Sequence, residues 1–220
     1  MAFDPNDQWA RITIDESLVG RAAGASAAEK ARELRQDEPV RSLVARLLGV
    51  HTDERAWRVG AQGERVTARW LGRLPKGWHV FNDVPLGERG ANIDHVVVGP
   101  AGVFTVNAKN LSGTVWVGSR VLLHNGHKTS YLPKAVAEAK RAARLLTSAV
   151  GRSVDVHPIL AIVADEWTIK QRPSDVFVGS PRSVKKWLQG LPSRLSSAEV
   201  VAIGSAASKP ATWVASKRSS

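Results

Sequence analysis

The sequence has no cysteine among its 220 residues, and only one methionine and one tyrosine. The absence of cysteine excludes a disulfide framework, a thiolate zinc site and a cysteine nucleophile. No apolar run approaches the roughly 18 residues that a membrane-spanning helix requires. The first residues are acidic and polar, without the apolar stretch of a secretory signal. We therefore expect a cytoplasmic protein that does not contact a membrane.

Basic residues are what the sequence has in excess. Lys and Arg number 31 against 20 Asp and Glu, which gives a formal net charge of +11. Residues 1–58 carry 9 basic and 10 acidic side chains, whereas residues 59–220 carry 22 basic and 10 acidic ones. A basic domain behind a near-neutral leader predicts a polyanionic partner, because each cation placed on a phosphate releases condensed counterions. A basic surface that only serves solubility is the alternative.

The chain divides into three predicted regions. Residues 1–58 form an N-terminal extension, partly helical, with helices predicted over 27–36 and 40–48 after a poorly ordered start. Residues 59–207 form one domain of ordinary globular composition. Residues 208–220 are small and polar, and they predict a flexible tail.

Within the domain, the hydrophobic pattern predicts both helices and strands. The predicted helices begin near Gln62, at Pro133 and at 196, and a further helix is predicted over 184–188 after a capping Ser180. The predicted strands cover 78–84, 93–98, 103–109, 114–117, 120–124, 156–163 and 175–178. This order predicts an α/β fold in which helices flank a mixed central β-sheet.

Strands 93–98 and 103–109 predict a hairpin with polar residues on one face. If Val98 pairs with Val103 across the four-residue turn, Asp94 lies opposite Asn107, and Lys109 lies on the same face. A carboxylate, an amide and a lysine are costly to bury unless they are paired, solvated or bound to a metal. An ion pair between Asp94 and Lys109 on a solvated face is the alternative. In either case we expect Lys109 to hold the pKa of Asp94 low.

Four motifs surround this hairpin in a fixed order: Gly60-Ala-Gln-Gly-Glu64, Gly90-Ala-Asn-Ile-Asp94-His95, Gly102-Val-Phe-Thr-Val-Asn107-Ala-Lys109-Asn110, and Gly113. From about Gly60 to Val163 the sequence resembles the nuclease-related domain family, NERD, which is attached to the PD-(D/E)XK nuclease-like superfamily. The resemblance implies a restriction-endonuclease-like core. It also implies catalytic roles for Glu64, Asp94, Asn107 and Lys109, with Glu64, Asp94 and Asn107 around Mg²⁺ or Mn²⁺.

The activity implied by the resemblance is metal-dependent phosphodiester hydrolysis of nucleic acid, with DNA as the expected substrate. Such hydrolysis requires a hard cation on oxygen ligands, and a lysine such as Lys109 can orient the attacking water and stabilise developing charge. The sequence departs from the superfamily at Asn107, where an acidic residue is usual, so the site loses one anion. Glu138, on the helix from Pro133, is a candidate replacement.

Three functions stay open on the sequence alone. The protein is a nuclease, a catalytically degenerate module that binds nucleic acid, or a non-catalytic interaction domain; Asn107 favours the second over the first. His95 is predicted to be a packed, hydrogen-bonded residue on the other face of the hairpin. Weaker candidates are His124 and His127 for a phosphate or metal, and Trp116 for stacking on a base.

Overall fold

The computed structural model describes residues 17–23, 53–87 and 91–214, and of residues 53–58 it describes the backbone alone. The helices are α1 (Asp53–Leu71), α2 (Tyr131–Val150), α3 (Pro181–Gly190), α4 (Ser197–Ala207) and α5 (Pro210–Trp213). The strands are β1 (His79–Pro85), β2 (Asn92–Gly99), β3 (Gly102–Asn110), β4 (Thr114–Val117), β5 (Leu122–His124), β6 (His127–Lys128), β7 (Val156–Val163), β8 (Glu166–Ile169) and β9 (Phe177–Gly179). The helices predicted over 27–36 and 40–48 lie outside the described residues. None of the described helices is long and apolar enough to cross a membrane.

Five strands form the central sheet, in the order β1-β2-β3-β7-β9. The first three are antiparallel, and β3, β7 and β9 run parallel to one another. The middle of β7, residues 159–162, is buried, as expected for a strand that is covered on both faces. The predicted α/β fold with a mixed central sheet flanked by helices is therefore confirmed.

Helices cover the two faces of this sheet. Helices α2 and α4 pack on the face that carries Val96 and Val103. Helices α1 and α3 pack on the opposite face, where Leu71 and Leu188 contact Phe104. Complete burial of a leucine stabilises the fold by about 1.5–3 kcal/mol, so each helix is held mainly by its apolar stripe. The sheet therefore separates α1 and α3 from α2.

The predicted hairpin over 114–124 does not join the central sheet. It forms a second sheet, in the order β6-β5-β4-β8, in which β8 lies parallel to β4. The sequence analysis did not predict β8, because Glu166–Ile169 is only four residues long and alternates between exposed and half-buried positions. Leu122 and Val117 of the second sheet pack with Leu132 of α2.

Two predicted boundaries are wrong. Helix α1 begins at Asp53, ahead of the predicted start near Gln62, because Gly60 is tolerated inside a helix and does not end it. The tail predicted from residue 208 is structured as far as Trp213, which is fully buried. The indole N–H of Trp213 donates to the carbonyl of Ala207 at 2.9 Å, so the polar edge of the ring is satisfied inside the core.

Residues 17–23, which were expected to belong to a poorly ordered start, pack against the domain. Leu18 is buried in the core, and its backbone N–H donates to the carbonyl of Ser208 at 2.8 Å. Arg21 forms an ion pair with buried Asp83 at 2.9 Å. A short segment of the N-terminal extension therefore belongs to the packed domain.

Candidate active site

The register between β2 and β3 is the one that the sequence predicts. Val98 pairs with Val103, and the ladder continues as far as His95. One residue further along β2, Asp94 lies across from Asn107 on the face covered by α2. The predicted hairpin and its polar face are therefore present.

Asp94 is fixed by the backbone of the neighbouring strand. Its carboxylate accepts the N–H of Ala108 at 2.6 Å, and it is half-buried. Burial raises the pKa of Asp94, while Lys109 and the bond from Ala108 oppose that rise. The expectation that Lys109 holds this pKa low is therefore wrong, because the loss of solvation outweighs the nearby cation.

Asn107 is in contact with Glu138 of α2. The amide of Asn107 donates to the carboxylate of Glu138 at 3.4 Å. Burial and the charge of Asp94 raise the pKa of Glu138 to about 7. Glu138 Oε1 and Asn107 Oδ1 are buried and have no hydrogen-bond donor among the described residues. These two buried oxygens, neither of which accepts a hydrogen bond, therefore lie near the carboxylate of Asp94.

Lys109 completes the cluster from the same strand. Its ammonium group donates to the carbonyl of Ala108 at 3.0 Å and lies 5.6 Å from the ring centre of Tyr131. Its charge lowers the pKa of both Asp94 and Glu138. The cluster Asp94, Asn107, Lys109 and Glu138, called the hairpin site below, thus has one cation beside two carboxyl groups.

Glu64 is placed differently from the other three predicted site residues. It lies half-buried on α1, on the opposite face of the sheet from Glu138. The preceding residue, Gly63, packs on Asn110 so closely that a Cβ there would lie 2.8 Å from Asn110 Cβ. Glu64 is therefore near the end of β3, but the described contacts of the hairpin site are with other residues. Its catalytic and metal-binding roles stay predictions.

Asp83 is a residue that the sequence analysis missed. It is buried, adopts a positive φ of 52°, and accepts from the amide of Asn92 at 2.8 Å. Its charge adds to the rise in the pKa of Asp94. The adjacent pair Asn82-Asp83 inside an otherwise apolar strand was the available signal, because two polar residues in succession place one of them on a covered face.

His95 and the remaining candidates lie away from the hairpin site. His95 is fully buried, its Nδ1 is 2.9 Å from the amide oxygen of Asn82, and burial lowers its pKa to about 3. His124 Nε2 lies 2.8 Å from the carbonyl of Ser112 in the second sheet. Trp116, in the same sheet, is 38% exposed, so its ring is available only in part.

The hairpin site has oxygen ligands for a hard cation, but fewer charges than the superfamily pattern. No group of three or more His, Asp or Glu side chains in the described part of the chain has metal-binding geometry. The side chain at position 107 is an amide, so it adds no carboxylate to those of Asp94 and Glu138. The unpaired oxygens of Asn107 and Glu138, with the carboxylate of Asp94, nevertheless fit the oxygen coordination that Mg²⁺ and Mn²⁺ take.

The region that contains the hairpin site is similar to one known protein family. Residues 59–163 match the family model of the nuclease-related domain, NERD. Comparisons with curated proteins and with solved structures give no significant match. The matched region includes α1 from residue 59 onwards, the hairpin, α2 and β7, and therefore every residue of the hairpin site. Residues 59–163, just under half of the chain, are thus similar to the nuclease-related domain (NERD) family.

Proposed function

We propose that the protein is a metal-dependent nuclease that cleaves phosphodiester bonds of DNA at the hairpin site. The observation that carries the proposal is the pair of buried acceptor oxygens on Asn107 and Glu138 beside the Asp94 carboxylate. Buried oxygens without donors are rare in proteins, and a bound cation would satisfy them. The cytoplasmic location expected from the sequence stays a prediction.

Each residue of the site has a chemical task in this proposal. Asp94, Glu138 and Asn107 would hold Mg²⁺ or Mn²⁺, which polarises the phosphoryl oxygen and favours ionisation of water. Lys109 donates hydrogen bonds to the attacking water or to a phosphate oxygen, where negative charge develops. Ala108 fixes Asp94 through its N–H, so the carboxylate keeps one orientation. Glu64 is retained as a candidate for a water contact from α1.

Nicking of supercoiled plasmid tests the proposal. We expect relaxation that requires Mg²⁺ or Mn²⁺, that stops with EDTA, and that is lost in Asp94→Ala and reduced at least tenfold in Glu138→Gln. Glu166→Gln is the matched control, because it makes the same carboxyl-to-amide change at an exposed position in β8. Nicking that survives Asp94→Ala, or that fails equally in Glu166→Gln, would contradict the proposal.

The amide at position 107 favours a second candidate function. With one anion fewer, the site binds a divalent cation more weakly, and the domain would then hold nucleic acid without cutting it. This candidate predicts salt-sensitive DNA binding that persists in EDTA and in Asp94→Ala, with no nicking in either metal. A domain without any nucleic-acid partner predicts no retention of DNA at physiological salt.

A further inference from the structure

Much of the positive charge of the domain lies on α3 and on α1 with the turn that follows it. In residues 59–76 and in α3 there are seven basic residues and one acidic residue, which is half of the excess of twelve carried by residues 59–220. Six of the seven are exposed: Arg65, Arg69, Arg73, Lys76, Arg182 and Lys186. None of the seven forms an ion pair with another described residue. Together with Trp70 they are called the α1–α3 surface.

Trp70 joins the two halves of this surface. The guanidinium of Arg73 lies 4.6 Å from the centre of the Trp70 ring, and that of Arg182 lies 6.0 Å from it. Two arginines, one in the turn after α1 and one on α3, therefore approach one half-buried ring. This arrangement concentrates positive charge beside an aromatic face.

An aromatic cavity adjoins the other side of α3. Its volume is about 330 Å³, which is at the lower end of the range of about 300–1,000 Å³ for small-molecule pockets. Trp187 of α3 stacks on Phe177 at 4.1 Å and meets the edge of Phe104 at 5.9 Å. Arg194 also lines the cavity, as does Asp175. The cavity thus offers aromatic rings for stacking together with a cation and several hydrogen-bonding side chains, since His157 and Ser174 line it as well.

We propose that the α1–α3 surface and this cavity together bind single-stranded nucleic acid, with an unpaired base in the cavity and phosphates along the cations of α3. Aromatic rings beside a basic groove are the two features that single-strand binding requires, because every base has a face that can stack and every linkage carries a charge. A duplex keeps its bases stacked internally and would contact the cations alone.

This binding surface is separate from the hairpin site. Phe104 and Lys109 are five residues apart on β3, roughly 16 Å at about 3.3 Å per residue. They also face opposite sides of the sheet, and α1 and α3 cover the side of Phe104. Binding at the α1–α3 surface therefore does not require cleavage, and it should persist in EDTA.

Fluorescence anisotropy with a labelled oligo-dT strand of about 20 nucleotides tests the charges. The double variant Arg182→Glu/Lys186→Glu should weaken binding at least tenfold and reduce the slope of log affinity against log salt by roughly one to two. Lys140→Glu/Arg144→Glu is the matched control, because it makes the same charge change at exposed positions of α2, across the sheet. Equal losses in both double variants would mean that net charge alone acts, and would overturn the proposal.

The aromatic contribution needs a variant of its own. Trp187→Leu should weaken binding of the strand about tenfold and leave a duplex of the same length within about twofold, since stacking on one ring contributes roughly 1–3 kcal/mol. Trp187→Phe should recover most of the loss. Unchanged strand binding in a folded Trp187→Leu protein would overturn the proposal.

A measurement on the unmodified protein covers the case in which Trp187→Leu does not fold. A strand carrying 5-iodouracil, crosslinked by light and mapped by mass spectrometry, should attach to Trp187 or Phe177. Attachment confined to the region of Asp94 would overturn the proposal. Loss of binding to phosphatidylserine vesicles in Arg182→Glu/Lys186→Glu, without loss of oligo-dT binding, would assign the surface to an anionic membrane instead.

Discussion

The carboxylate of Asp94 accepts the backbone N–H of Ala108 at 2.6 Å, at the point where the ladder between β2 and β3 ends. Beyond this point the two strands are connected by a side chain and not by their backbones. Asp94 therefore connects the two strands in addition to its proposed role as a metal ligand. Substitutions at this position have to distinguish the structural role from the metal-binding role.

The substitutions Asp94→Asn and Asp94→Ala should distinguish the structural role of Asp94 from its metal-binding role. Asp94→Asn keeps an acceptor for Ala108 and removes a buried charge, so the free energy of unfolding at pH 7 should stay within about 1 kcal/mol of the wild type. Asp94→Ala leaves the Ala108 N–H without an acceptor and should cost about 1–3 kcal/mol. Urea unfolding measures both. Because both substitutions remove the carboxylate, both should abolish metal-dependent nicking, and nicking by the asparagine variant would contradict the proposed role.

Asn107→Asp should restore the third anion of the superfamily pattern. Metal affinity, measured by calorimetric titration with Mn²⁺, should rise about tenfold, which corresponds to ~1.4 kcal/mol. Stability in EDTA should fall, because the new carboxylate replaces the amide that now donates to Glu138 and lies across from Asp94. Gln171→Glu adds the same charge at an exposed position as a control. Unchanged metal affinity would show that position 107 is not a ligand.

Glu138→Gln should change how stability depends on pH. The carboxyl of Glu138 has a pKa of about 7 in the folded protein, against about 4.5 when unfolded, so the folded state binds the extra proton. Its stabilising contribution is complete below pH 4.5 and is lost as the pH rises through 7, a total of up to about 3 kcal/mol. In EDTA, the glutamine variant should therefore gain stability relative to the wild type between pH 5 and pH 8. If the free energy of unfolding of the two proteins changed with pH in the same way, the raised pKa of Glu138 would be refuted.

His95 should make the protein sensitive to acid. Burial lowers its pKa from 6.5 to about 3, so the unfolded chain binds a proton that the folded protein does not. The stabilising contribution of neutral His95 is present above pH 6.5 and is lost as the pH falls towards 3, about 3 kcal/mol by pH 4. His95→Phe removes this dependence, and the difference in free energy of unfolding between pH 7 and pH 4 should shrink by that amount. Glu138 contributes equally to both proteins and cancels in the comparison.

Two glycines of α1 should respond in opposite ways to alanine. A Cβ at Gly60 meets open space, so Gly60→Ala should stabilise the helix by about 0.5–1 kcal/mol. A Cβ at Gly63 would lie 2.8 Å from Asn110 Cβ, so Gly63→Ala should push α1 away from β3 and destabilise by about 1–3 kcal/mol. Thermal unfolding of the two variants measures the contrast. A stabilised Gly63→Ala protein would show that α1 does not pack on the end of β3.

Periodicity and turn chemistry in the sequence determined most of the central sheet. The turn signal between Val98 and Val103 predicted the register of β2 and β3, and the ladder extends further to Gly99 and Gly102. A shift by one residue would place polar side chains in the core. The apolar run of β7 identified an interior strand of the sheet, which lies between β3 and β9. The residue types at Asp94, Asn107 and Lys109 identified one face of the hairpin as the candidate site, and the motifs around it indicated the resemblance to the family whose model matches residues 59–163.

Only the tertiary structure decided which distant residues join that face. Glu138 reaches Asn107 because α2 packs across the sheet, and Asp83 acts on Asp94 from another strand; neither relationship follows from local sequence spacing. The same is true of the pKa of Asp94, which depends on how much water the fold removes and not on the presence of Lys109 in the chain. Trp70 lies beside the guanidinium groups of Arg73 and Arg182 because α3 packs against α1, which local spacing does not show either. Local patterns fix secondary structure and register because they act between near neighbours, whereas burial and charge at a site are set by the whole fold.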